Sequence, residues 1–194
     1  FYLQTLNFAT RRTMEYFNHT GIFYTETKTL FGSYSVACYG NNANRPPNLP
    51  VARERCTSMN FDFGGDAGGP EVSMMILDHY EYTGNRTALA QFFPIVSLTL
   101  DFFRQHYTKR DSDGRMVIWP TQALEKYQCA KMPSPAASGA PVPAWQPPNA
   151  TNCIENDTPT VVSLHVLLER VLALPPDAAP DAITEARRNE WRQF

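Results

Sequence analysis

Two apolar stripes of helical period, separated by one glycine, constrain this chain more than anything else in it. Val72, Met75, Ile76, His79 and Tyr80 recur at i, i+3, i+4, i+7 and i+8, the spacing that gathers side chains on one face of an α-helix. After Gly84, the residues Leu89, Phe92, Phe93, Val96, Leu100, Phe103 and Tyr107 repeat the pattern. Two stripes that each need a partner, joined by a turn this short, predict an antiparallel helical hairpin. Pro94 lies inside the second stripe and predicts a kink or a late start.

The rest of the chain is read around that hairpin. Residues 2–18 carry Leu3, Leu6, Thr10, Thr13 and Phe17 on one face, a helix predicted to end near Gly21 in the left-handed conformation. Thr158 is the expected N-cap of a helix with Pro159 in its first turn, stopped by Pro175-Pro176. A last helix contains Ile183, Ala186, Glu190 and Trp191. Asp111-Ser112-Asp113-Gly114 reads as a tight turn before the extended run Met116-Val117-Ile118-Trp119. Pro70, after a glycine-rich stretch, suits the start of a helix. Five or six amphipathic helices make the fold mainly α, one domain over residues 1–194. The long stretches between helices, residues 22–62 and the proline-rich insertion at 130–152, point to function on the loop side.

Composition removes several function classes. The 194 residues carry 17 Lys and Arg against 19 Asp and Glu, a formal charge of -2, without the basic excess of a nucleic-acid binder. The run Ile95 to Phe103 is broken by Ser97, Thr99 and Asp101, so no membrane span is expected. The sequence starts at Phe1 and runs straight into a helical pattern, as expected of a processed chain or a fragment.

Four cysteines allow three pairings. Cys38 with Cys56 and Cys129 with Cys153 is the simplest, since each pair brackets an irregular segment. Closing the second loop is worth roughly 3–4 kcal/mol in the loop-entropy model. Four buried free thiols are the alternative. No CxxC spacing occurs and histidines number 4, so no metal or other cofactor is expected. Asn-x-Thr sequons fall at Asn18, Asn85, Asn149 and Asn156. Pro159 makes Asn156 a poor acceptor, and Asn85 also reads as a helix cap. Cysteines and sequons together predict a secreted or lumenal glycoprotein.

The residues fit no nucleophile elbow, phosphate loop or dinucleotide fingerprint. What remains is carboxylates beside aromatics: Glu26 in Phe23-Tyr24-Thr25-Glu26, Glu71 in Gly69-Pro70-Glu71, Glu125 in Gln122-Ala123-Leu124-Glu125, and Asp62 and Asp66 among glycines. Aromatic faces stack on sugar rings, carboxylates and amides bind hydroxyls, and two opposed carboxyl groups suffice for glycosidic hydrolysis. Trp119, Tyr24, Gln122 and Asp66 are the expected substrate-binding residues. Each carboxylate also has an ordinary reading: Glu71 favours the helix dipole from a first turn, and Glu125 sits beside Lys126 like any exposed helix charge.

Several blocks together resemble a known family. They are Arg11-Arg12-Thr13-Met14-Glu15-Tyr16-Phe17, Gly21-Ile22-Phe23-Tyr24-Thr25-Glu26-Thr27, Phe31-Gly32, Gly69-Pro70-Glu71, Met74 to Gly84, Phe102 to Tyr107, Pro120 to Glu125, Asn156-Asp157-Thr158-Pro159 and Leu172 to Pro175. In this order they resemble the secreted (α/α)6-barrel proteins related to glycoside hydrolases, similar to the α-L-fucosidase-type enzymes. The resemblance implies about half of an (α/α)6 toroid, whose remaining helices come from the rest of a larger chain or from other copies. It implies a carbohydrate partner and inverting chemistry, with Glu26, Glu71 and Glu125 as the catalytic carboxylates. Thr25 stands where the family often has Pro, and Leu30 where it often has Trp. The same scaffold, without catalysis, is expected to serve carbohydrate binding or assembly into a filament or matrix.

Overall fold

The computed structural model describes residues 1–24, 69–119, 154–179 and 183–194. Among these residues the protein is mainly helical: α1 (Leu6–Phe17), α2 (Gly69–Thr83), α3 (Arg86–His106), α4 (Thr158–Ala173) and α5 (Glu185–Trp191). The hairpin expected from the two stripes is α2 and α3. Gly84 makes their turn at φ 64°, a backbone region that costs glycine little, and its N–H donates to the Tyr80 carbonyl at 2.8 Å. Asn85 then caps α3, its Oδ1 accepting the Ala88 N–H at 2.9 Å.

Pro94 does not delay α3, which starts eight residues earlier and runs through it. The missing proline N–H leaves only the Ala90 carbonyl without its helical donor, and Ala90 is exposed to water. Two glycines bring backbones closer than any side chain permits. A Cβ on Gly69 would lie 2.5 Å from both Cγ2 and Oγ1 of Thr99, so α2 and α3 touch there. A Cβ on Gly21 would lie 2.5 Å from the Phe102 backbone nitrogen. Gly21 therefore serves contact, not helix termination. The left-handed terminus of α1 belongs to Asn18 at φ 59°, whose N–H donates to the Met14 carbonyl, because asparagine tolerates this region better than other side-chain-bearing residues.

The start of α4 is also shifted by one residue from expectation. Asp157, not Thr158, is the N-cap, with Oδ1 accepting the Thr160 N–H at 3.0 Å. A carboxylate there adds charge favourable to the helix dipole. At the other end of the chain, Thr184 caps α5 and leaves Ile183 just outside it. The 111–114 turn forms as read, with Asp111 Oδ1 accepting the N–H groups of Asp113 and Arg115, both at 2.9 Å. Among the described residues the extended run beyond it pairs back through an isolated antiparallel bridge, Arg110 to Met116.

One core gathers α2, α3, α4 and α5 around Leu77, Phe93, Val96, Leu100, Leu167, Val171 and Trp191. A smaller cluster joins Ala9 of α1 and Ile22 and Tyr24 to Val72 and Ile95. The α4 helix lies parallel to α2: near the C-terminal ends of both, Arg170 Nη2 meets Asp78 at 2.7 Å and Glu81 at 2.9 Å. The short α5 is pinned by Arg188, which donates to the carbonyls of Leu172 (2.8 Å) and Leu174 (2.7 Å), and by Arg187, paired with Asp101 at 2.8 Å. No helix among the described residues is long and apolar enough to cross a membrane.

Candidate functional site

Because α2 and α4 run parallel and α3 runs against α2, one end of the bundle collects two helix N-termini beside the C-terminal half of α3. The connections are unequal. At the opposite end α2 passes to α3 through Gly84 and Asn85 alone. At the first end the chain departs at Tyr24, packed with Val72 in the first turn of α2, and rejoins at Gly69 in that same turn. It departs again at Trp119 and rejoins at Ile154, next to the start of α4. Asn156 closes this second junction: its N–H donates to the Ile118 carbonyl at 2.9 Å, and its Oδ1 accepts the Ile118 N–H at 2.8 Å. The left-handed backbone at Asn156 (φ 56°) makes both bonds to one residue accessible. Sequence reading saw there a sequon and a block of the family resemblance, not this pairing with Ile118.

Of the expected site residues, Glu71 stands exposed in the first turn of α2. Trp119 is 42% exposed beside the Asn156 clamp, so part of the indole is open to a ligand. Tyr24 is interior at 1% exposure, its hydroxyl donating to the Tyr2 carbonyl at 3.1 Å. Burial pushes its phenol up to about 12. Its ring contacts Tyr2 edge-on at 5.3 Å, and a ring enclosed in this way holds the departing chain against α2. Asn18, Asn85 and Asn156 are all exposed. Glu26, Asp62, Asp66, Gln122, Glu125, Asn149, the four cysteines Cys38, Cys56, Cys129 and Cys153, and the insertion at 130–152 lie outside the described residues.

Among the described residues no group of three or more His, Cys, Asp or Glu is placed to hold a metal ion. A cavity of about 210 Å³ opens between the outer faces of α2 and α3, lined by Tyr2, Val72, Met75, His79 and Phe92 among others. It holds none of the candidate carboxylates, and its wall is apolar. A feature that sequence reading missed is the contact of His19 with His106, Nε2 to Nδ1 at 3.0 Å. The two lie 87 positions apart, and no local pattern announces such a pair.

Searched against protein-family models, curated proteins and solved structures, the chain matches none.

Proposed function

We propose that the protein is a secreted glycoside hydrolase-like domain, part of an (α/α)6 toroid, that binds a saccharide at the end of the bundle where the long connections leave. One observation carries this reading. The stretches bearing Glu26 and Asp66, and Gln122 and Glu125, each depart from and return to the end at which Glu71 is exposed. The ordered sequence blocks described above add the family resemblance. In this reading two of Glu26, Glu71 and Glu125 act as general acid and general base across the scissile bond, in the inverting manner. Trp119 offers an apolar face to a sugar ring. No metal or other cofactor takes part.

The test is a polysaccharide and glycan hydrolysis screen with the wild-type protein and Glu26→Gln, Glu71→Gln and Glu125→Gln. Removing a general acid or base is expected to lower kcat by about 10²–10⁴-fold, in two of the three variants. A substrate cleaved equally well by all three variants refutes the assignment. The apolar side chains left outside on α2 and α4, Met75 at 60% exposure and Val162 at 52%, favour a second reading, in which the scaffold assembles with other copies and does not catalyse. Saccharide binding or self-association without turnover would support it.

A further inference from the structure

The chain between α1 and its departure at Tyr24 runs back along the C-terminal half of α3, and a pair of imidazoles fastens it at the far end. We propose that His19 and His106 form a proton-operated latch, which holds residues 19–24 against α3 when neutral and releases them when both rings are protonated. This stands apart from the catalytic reading and does not depend on it.

The hydrogen-bond geometry fixes the neutral state. His19 Nδ1 lies 2.7 Å from the Thr20 carbonyl oxygen, which can only accept, so Nδ1 carries the proton. In a neutral ring this leaves Nε2 as an acceptor, and His106 Nδ1 must donate to it across 3.0 Å. The result is a one-way chain from His106 to His19 to the Thr20 carbonyl. One added proton is accommodated at His106 Nε2 with the central bond unchanged. A second puts two N–H groups face to face and two like charges in contact, so the bond is lost.

The surroundings sharpen the effect. The Phe102 ring stacks on His106 at 5.0 Å and 11°, and Tyr107 packs edge-on at 4.8 Å. Burial holds His106 far below the ordinary histidine range, at about 3, with the facing His19 adding to the effect; burial also lowers His19. The charged side chains on the same stretch of α3 are turned to other partners. Asp101 and Arg104 pair with each other and with Arg187 and Glu190 of α5. Past the helix, Lys109 meets Glu155, and Arg110 donates to the Tyr107 carbonyl. On α1, Arg11 is exposed. Among the described residues the segment is also fastened by two neutral contacts, Gln105 with Thr20, and the Ile22 N–H to the Leu98 carbonyl at 3.0 Å.

The experiment is amide hydrogen exchange from pH 7 to pH 4, each rate normalised to the intrinsic rate at that pH. The protection of Ile22 is compared with that of Leu100 inside α3, in wild type, His19→Gln and His106→Gln. Ile22 is expected to lose protection about tenfold or more on acidification while Leu100 keeps its own, and both variants flatten the difference. Simultaneous loss at Ile22 and Leu100, or an unchanged Ile22, overturns the latch. Ring-nitrogen NMR of the unsubstituted protein supplies a check that needs no variant. Protonated Nδ1 on both rings at neutral pH supports the chain of donors, and Nε2-protonated rings refute it.

Discussion

Replacing Arg188 by Met tests what holds α5 in place. The side chain is 5% exposed and donates to the Leu172 and Leu174 carbonyls at 2.8 and 2.7 Å, where α4 ends and its carbonyls have no helical donors left. Each bond from a charged donor is worth about 1.5–3 kcal/mol. Methionine keeps an apolar stem of similar reach but removes the donor from both carbonyls, the Leu174 one buried and the Leu172 one half-buried. A seven-residue helix cannot stand alone, so losing this anchor also loosens Trp191, which is 1% exposed and packs on Phe93 at 6.0 Å. Allowing for non-additivity, Arg188→Met should lower stability by about 3–4 kcal/mol, and Arg188→Lys, with one compact donor, by about half that. Urea unfolding followed by tryptophan fluorescence and by circular dichroism reads both numbers, and in the Met variant the indole signal should shift before helicity is lost. A Met variant within about 1 kcal/mol of wild type, with the lysine variant no better, would refute the claim that these bonds anchor α5.

Other substitutions probe the close approaches and caps. Gly69→Ala forces a Cβ onto Thr99 and should cost about 1–3 kcal/mol, partly recovered in Gly69→Ala/Thr99→Ser; a double-mutant cycle in denaturant without recovery contradicts the contact. Gly21→Ala combines φ +110° with a clash against backbone and should cost more than Gly69→Ala in the same assay. Asn85→Ala removes the α3 cap and should lower stability by about 1 kcal/mol in unglycosylated material, measured by thermal unfolding. Because the folded protein binds protons at His106 more weakly than the unfolded chain, the contribution is present above the unfolded value of 6.5 and is lost as pH falls from there toward about 3. His106→Gln should flatten this part of the stability–pH curve, and an unaltered curve argues against it.

The helical hairpin was legible because its stripes are dense and joined by a residue that turns freely, but the buried face of α2 is rotated from the one read: Met75 and His79 point outward, and Ser73 and Leu77 are buried with Val72. Helix ends were less so. In Asn156-Asp157-Thr158-Pro159 three consecutive residues are competent caps, and only the path of the backbone toward Ile118 decides for Asp157. Gly21 was assigned a local task, helix termination, where the fold uses it for contact with Phe102, a residue 81 positions away. At the candidate site, Glu71 was readable because a first-turn position follows from Gly69-Pro70. Tyr24 read as a sugar platform for the same reason that it packs well: a large ring with one polar atom suits both, and only its neighbours Tyr2, Val72 and Ile95 show which surface it meets.

The two-residue link at Gly84 and Asn85 also bears on the order in which the chain assembles. Joining α2 to α3 closes almost no loop, whereas α4 must wait for about fifty residues between His106 and Thr158 to be drawn in, an entropic difference on the order of 3 kcal/mol. The α2–α3 pair is thus the natural nucleus, and mutations at its interface, such as Thr99 or Val96, should slow folding. Those under α5 should mainly speed unfolding.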